Sequence, residues 1–570
     1  MNRHLAALVL DEIASLLALQ DTDPFRVLAY RNAARALDRL EGDLGELVGR
    51  GDLAAAPGLG PGTVAVVREL AETGRSRLYD RLRQETPAGL VQLRSVPGLG
   101  PKRIRVLHDR LGIQDLADLR EAAERGRVAE LPGFGLATQR RILEGLDFVA
   151  GVAGRRRQPE AYEAANRLIG HLETLPVTRV LLTGELRRRC ETVDGLDLLA
   201  VTEEPEAVLD GFVALPGLVA VERVGPLRAV GRLADGSAVR LRCSAPAGAA
   251  AARVVDTGHP SHVRELEARA ADRGLRLDPS GLWRDDAPVA TGSEEAVYQA
   301  LGLAWIPPEL REGRAEVAAA EANALPRLLD CPDLRGTFHC HTTYSDGTAT
   351  VAEMADAARA RGWRYLGIAD HSAAASYAGG LTVDDVRLQH AEIDAWNRAH
   401  GNEVRLFKGI EADVLRDGRL DYDPEVLGTF DYVVGSVHSG FRMGRDEMTR
   451  RVAAAVADPH LTMLGHPTGR LLLTRGPYDV DLETVIDAAA RADTAIEING
   501  DPRRMELDWR YWPAARSRGV LAAVNPDAHS VAGLAAVAYG VAVARKGWLE
   551  PGDVINAWEL EQVTSYLGIP

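Results

Sequence analysis

The hydrophobic pattern changes character twice along the chain. Near the start, Leu5, Leu8, Ile13, Leu16 and Leu17 recur at helical spacing, and residues 21–24 break the run. Residues 25–35 read as an amphipathic core helix. Helix-like segments continue to about residue 150, interrupted by three copies of one turn. These are Pro57-Gly58-Leu59-Gly60, Pro97-Gly98-Leu99-Gly100 and Pro132-Gly133-Phe134-Gly135. A basic connector, residues 151–158 with Arg155-Arg156-Arg157, opens a mixed α/β region. From Gly336 onward short apolar runs alternate with helical ones, the pattern of a parallel α/β array. The expected strands are 337–341, 365–370, 406–410, 432–437, 461–465, 495–498 and 521–525.

Nearly every one of these strands ends in a side chain able to ligate a metal. His339 and His341 share one face of the first, because side chains alternate with period two, and Asp346 follows. His371, Glu411, His438, His466 and Asn499 close the next five, and the last leads to Asp527 and His529. In barrel folds the C-terminal strand ends meet at one mouth, so ligands far apart in sequence converge there. Mixed imidazole and carboxylate donors suit Zn²⁺ or Mn²⁺, and sequence does not choose between them. Arg470 and Arg504 also follow strand ends and are candidates for a bidentate phosphate clamp.

The three turns carry a second chemistry. Glycine permits positive φ and close approach of a ligand, and the helix that follows begins with unpaired N–H groups able to hold phosphate. Gly58, Gly60, Gly98, Gly100, Gly133 and Gly135 are therefore candidate phosphate contacts. The net charge of −15 excludes a protein that is basic overall. It is unevenly spread: residues 1–160 hold 24 Lys+Arg against 22 Asp+Glu, leaving −17 on the other 410. A neutral N-terminal region still permits local phosphate contacts, and the acidic remainder suits cation binding. The four cysteines form no close pair, which favours reduced thiols and a cytoplasmic protein. No run is long and apolar enough for a membrane span, and the first apolar run, cut by Asp11 and Glu12, is not a secretory signal.

Residues 184–199, Gly-Glu-Leu-Arg-Arg-Arg-Cys-Glu-Thr-Val-Asp-Gly-Leu-Asp-Leu-Leu, resemble the nucleotidyltransferase signature of family X DNA polymerases. The triple turn resembles the helix-hairpin-helix motif, and residues 295–313 also look like the bacterial members. The nine residues His339, His341, Asp346, His371, Glu411, His438, His466, Asp527 and His529 match the polymerase and histidinol phosphatase (PHP) domain. The resemblance implies a multidomain chain. An all-α helix-hairpin-helix region would occupy 1–88 and 89–154, an α+β nucleotidyltransferase palm 155–255, and a thumb 256–313. A linker at 314–333 would lead to a distorted (β/α)₇ PHP barrel at 334–570. It further implies three divalent ions, held by His339, His341, Glu411 and Asp527; by Glu411, His438 and His466; and by Asp346, His371 and His529.

The palm departs from its family. Asp197 matches a metal-binding position, but Gly195 replaces the first carboxylate and Arg240 the third. Arginine cannot coordinate a metal. Asp194 is one residue off, and on a regular strand would face the other way, unless a bulge at Asp194-Gly195 turned it back. Gly184 and Arg188 mark the remnant of the nucleotide site, where Glu185 replaces serine, and His259 departs in the same way in Thr257-Gly258-His259. No lysine precedes Lys102, so a lysine-based lyase in the first domain has no support. The expected function is a DNA-repair phosphodiesterase, a 3′–5′ exonuclease with abasic-site or 3′-end processing, acting on gapped or damaged duplex. Polymerase activity would be weak or lost, with Mg²⁺ or Mn²⁺ and dNTP bound in the palm only if it is active. No obligate protein partner is expected. The alternatives are an active gap-filling polymerase with PHP proofreading, a small-molecule phosphoesterase, and a non-catalytic DNA scaffold.

Overall fold

The computed structural model describes residues 3–20, 23–40 and 44–569. Asp21 and Thr22, part of the expected break, lie outside the described residues. The chain divides into two compact units, Met1–Ala153 and Gly154–Pro570.

The first unit is all-helical. Its opening helix, Arg3–Leu19, buries Ala6, Leu10, Ile13 and Leu17, a clean i, i+4, i+7, i+11 stripe. Leu5 and Leu8, expected in that stripe, lie off it and are exposed. The three glycine turns adopt closely related conformations, with φ of +93° at Gly58, +79° at Gly98 and +83° at Gly133. Only glycine takes these values without strain. Gly60 and Gly100 cap the helices Pro61–Thr73 and Pro101–Leu111, and Gly135 starts the helix Gly135–Val152. A Cβ at Gly60, Gly98, Gly100, Gly133 or Gly135 would meet nothing within 4 Å, so the turns are open there, whereas at Gly58 it would come within 3.2 Å of Ala36 Cβ.

The second unit opens with a five-stranded sheet, in the order Arg179–Leu182, Gly195–Val201, Ala238–Ser244, Arg228–Leu233, Leu218–Arg223. Its helices Gln158–Leu172 and Pro205–Val213 bury apolar side chains in one core with it. A small sheet of Arg276–Asp278, Gly281–Arg284 and Ala287–Val289 follows.

The last seven strands are Gly336–Thr337, Tyr365–Ile368, Arg405–Asp413, Tyr432–Ser436, Met463–Leu464, Ala495–Asn499 and Ala522–Asn525. They pair in sequence order, all parallel. The ring closes beyond the first strand, where His341 N–H donates to Ala528 O (2.8 Å) and Ala528 N–H to His339 O (3.2 Å). The first and fifth strands are shorter than expected. The third is longer, because residues 409–413 go on to pair with 432–436.

Inside the ring Phe338, Tyr365, Phe407, Tyr432 and Met463 form an apolar floor. Gly367 and Gly409 are required there, since a Cβ on either would come within 2.4 and 2.1 Å of the Tyr432 side chain. The C-terminal segment seals the N-terminal strand ends: Tyr365 Oη donates to Ile555 O at 3.0 Å, and Val563 joins the same core.

The barrel is tied to the residues before it by a buried ion cluster. Lys546, fully buried, donates to Glu312 and to Arg188 O (3.1 Å), and its ammonium lies 4.6 Å from the Trp509 ring centroid. Arg545 pairs with Glu309 at 2.8 Å. Among the described residues no helix is long and apolar enough to cross a membrane.

Candidate metal centre

The strand ends deliver all nine candidate ligands to one buried pocket. Glu411 is its hub. One carboxylate oxygen lies 3.3 Å from His339 Nε2, 3.2 Å from His438 Nε2 and 2.9 Å from His466 Nε2. The other lies 2.9 Å from His371 Nδ1 and 3.8 Å from His341 Nε2. Asp527 Oδ1 sits 3.2 Å from His341 Nε2 and 3.7 Å from His339 Nε2. Asp346 Oδ1 sits 3.2 Å from His529 Nε2 and 3.6 Å from His371 Nε2. The three expected ligand groups therefore run together: His341 stands between Asp527 and the Asp346–His371–His529 cluster, and His371 also reaches Glu411.

Carboxylates behind the ligands fix which ring atom faces inward. Asp413 takes His438 Nδ1 at 2.6 Å, and Glu497 takes His339 Nδ1 at 2.7 Å, so both rings offer Nε2 to the pocket. Glu497 also accepts from the backbone N–H of His466 (2.6 Å), Asn525 Nδ2 (3.0 Å) and Asn499 Nδ2 (3.1 Å). Asp370 accepts from Thr342 N–H (2.8 Å) and Gln389 Nε2 (2.6 Å), holding the loop that carries Asp346. Sequence reasoning did not single out Asp413, Glu497 or Asp370. Asp413 was readable in principle, because it lies two residues beyond Glu411 on one strand and so shares its face.

The pocket fits divalent cations. His339 Nε2, His371 Nδ1, Asp346 Oδ1 and Glu411 Oε2 are buried with close neighbours but no properly aligned hydrogen bond, a costly state unless something else satisfies them. The donors are imidazoles and carboxylates, whereas Cys340 packs away in the surrounding apolar core. Burial disfavours the Glu411 carboxylate, yet His438, His339 and His371 hold it well below the usual carboxyl range. Burial likewise opposes charge on His438 and His529, but Glu411 and Asp413 push the first up to about 10, and Asp346 and Asp527 the second up to about 9. His341 goes the other way, to about 3, through burial and then its neighbours His529 and His371.

The two candidate clamp arginines part company. Arg504 Nε stands 3.6 Å from Asp527 Oδ2, at the rim of the centre. Arg470, by contrast, donates to Arg504 O (2.8 Å), Met505 O and Asp508 (3.0 Å). Its fork is spent bracing the 504–508 loop, which corrects its expected role on phosphate.

In the five-stranded sheet Asp197 faces Arg240 across the parallel pairing. Arg240 Nη1 lies 3.1 Å from Asp194 and 3.2 Å from Asp197, so one guanidinium sits where two acids converge. The expectation that Asp194 faces away is corrected: a bend at this residue separates Thr192–Val193 from Gly195–Val201 and breaks the alternation. Burial raises the Asp197 pKa, and Arg240 opposes the rise. Gly184 packs against Asp197, where a Cβ would come within 2.1 Å of its carboxylate. Arg188 is buried and already bound to Glu312 (3.0 Å) and Thr257 O (2.8 Å), so it is not free for a nucleotide.

The chain is 34% identical over 574 residues, 98% of each protein, to "DNA polymerase/3′-5′ exonuclease PolX" of Bacillus subtilis (strain 168).

The chain belongs to the PolX family.

Its parts match families accordingly. Residues 1–76 match a helix-hairpin-helix domain, 91–147 a SAM-like helix-hairpin-helix tandem, 252–312 the DNA polymerase beta thumb, and 337–500 the PHP domain. The PHP region of this PolX chain is also 28% identical over 208 residues to a probable phosphatase of Caldanaerobacter subterraneus subsp. tengcongensis, covering 34% of the chain and 74% of that protein. A ternary complex of Leishmania infantum polymerase beta aligns with 39% of the chain and 98% of its own, at 20% identity and a TM-score of 0.27. Membership in PolX, with a PHP domain and helix-hairpin-helix domains, implies metal binding and DNA binding.

Proposed function

We propose that this PolX is a metal-dependent DNA phosphodiesterase that trims 3′ ends of gapped or damaged duplex, with weak or absent polymerase activity. The observation that carries the reading is the convergence of nine imidazole and carboxylate side chains around Glu411. His339, His341, Glu411 and Asp527, with His371, His438, His466, Asp346 and His529, would hold Zn²⁺ or Mn²⁺, three ions in all. Bound there, such ions lower the pKa of water and stabilise charge on the attacking and leaving oxygens at phosphorus.

The chain's own residues do the rest. Asp413 and Glu497 orient His438 and His339, so ligand geometry needs no rearrangement when substrate arrives. Arg504 offers guanidinium N–H groups at the rim, next to Asp527, where a phosphate oxygen can accept them. The floor of Phe338, Phe407 and Tyr432 closes the pocket from below and keeps bulk water to one side. The open glycine turns of the first unit hold the DNA backbone through helix N-termini without reading bases.

Weak or absent polymerase activity is supported by Arg240, which sits between Asp194 and Asp197 in place of a divalent cation. The nearness of those two acids also favours the second reading, an active gap-filling polymerase that binds Mg²⁺ or Mn²⁺ and dNTP. One experiment separates them: end-labelled gapped DNA incubated with Mn²⁺, with and without dNTPs. Shortening that does not depend on dNTPs, with little extension, is expected. Robust extension abolished by Asp197→Ala would establish the polymerase instead, and phosphate release from small monoesters in preference to DNA cleavage would establish a phosphatase.

A further inference from the structure

The metal centre reaches solvent at His529 and Asp346. His529 and Asp346 keep 37% and 24% of their side chains exposed, whereas the other seven ligands are nearly buried. Beside this opening stands Tyr377, whose residue is 70% exposed. Its ring centroid lies 6.1 Å from that of His371 and 6.2 Å from that of His438. Its hydroxyl makes no hydrogen bond to a described residue.

The segment that carries it is tightly held. Leu381 N–H donates to His371 O (2.9 Å), and Ala375 N–H donates to Ser372 O (3.0 Å). Ala378 N–H donates to Ala375 O (2.9 Å), and Ala374 N–H to Asp421 (2.7 Å). The short turn Ser376–Ala378 buries Ala375 and Ala378 and leaves the tyrosine as its one large outward side chain. A wide aromatic face exposed to water gains nothing for folding. It is fixed within about one ring's width of two of the candidate ligands, at the edge of the pocket proposed to cleave phosphodiesters.

We infer that Tyr377 is a stacking platform for the base adjoining the scissile phosphate, and so a specificity-determining residue for base-bearing over baseless ends. The inference rests on the phosphodiesterase reading and adds its substrate preference. Stacking on an aromatic ring tolerates every base, which suits an enzyme that trims without reading sequence.

The test compares two duplexes in Mn²⁺, one ending in a normal 3′ nucleotide and one in a 3′ tetrahydrofuran abasic analogue. Tyr377→Ala is expected to raise KM for the base-bearing end by about tenfold to a hundredfold. The same change should leave the abasic end within about twofold. Tyr377→Phe and Tyr377→Trp should stay near wild type on both, and bound metal per chain should be unchanged. A readout without turnover uses 3′-terminal 2-aminopurine DNA bound to His341→Ala protein: its fluorescence is quenched, and adding Tyr377→Ala relieves the quenching. Equal loss on both ends, loss in Tyr377→Phe matching that in Tyr377→Ala, or no loss at all would overturn the stacking role. Wild-type protein that shortens neither duplex would overturn the phosphodiesterase reading and the inference with it.

Discussion

Glu411→Gln is expected to lower the rate of DNA shortening by about a thousandfold or more, some 4 kcal/mol of barrier. The carboxylate faces five imidazoles, and each of its oxygens serves more than one of them. Glutamine keeps the shape but replaces one oxygen with a donor that repels a cation and cannot bridge two. Metal analysis should therefore find fewer ions per chain as well. Binding to gapped DNA should persist, because the helix-hairpin-helix turns are untouched. Asp413→Asn is the graded comparison: it keeps an acceptor for His438 Nδ1 but removes the negative charge behind the ring, and a loss of about tenfold to a hundredfold is expected. Glu411→Gln protein with native stability and a rate within tenfold of wild type would exclude this centre as the site of hydrolysis.

Glu294→Ala is expected to cost about 3–5 kcal/mol of stability, far more than an ordinary substitution. Glu294 holds both terminal guanidinium nitrogens of Arg187 (2.7 and 2.6 Å) and both of Arg311 (2.9 and 3.1 Å). Arg311 is fully buried and Arg187 nearly so, so deletion strands two cations away from water. Denaturant midpoints at pH 7 measure the loss. The pH dependence carries a sign. Burial would raise the Glu294 pKa, yet Arg187 and Arg311 hold it far below its ordinary value of 4.5. A depressed folded pKa adds stability that is fully present above the unfolded value and lost as pH falls toward the folded one. The gap between wild type and variant should thus be constant near neutrality and narrow below about pH 4.5. A gap that widens in acid would contradict the pairing.

What sequence could reveal follows from how local each signal is. His371, His438 and His466 stand immediately after apolar runs, and the barrel rule carries them to one mouth. The glycine turns were readable because positive φ is a property of single residues. Glu497 was not, since one acid inside Ala495–Asn499 looks like any strand interruption until its partners His339, Asn525 and His466 are in place. Asp194 was misjudged because a regular strand was preferred to a break at Asp194-Gly195, where the backbone bends. Arg470 was misjudged because its acceptors are backbone carbonyls of residues 504 and 505, which leave no mark in side-chain identity.

The lysine at the end of helix Val537–Lys546 finds its carboxylate 234 positions earlier in the chain. Severing the protein ahead of the barrel would take Glu312, the Arg188 carbonyl and Cys190 away from that ammonium and leave Trp509 beside it at a newly bared surface. The excised C-terminal piece is therefore no simple miniature of its parent. Hydrolysis measured on it reports a damaged face as well as an intact mouth, and the two halves are best studied joined.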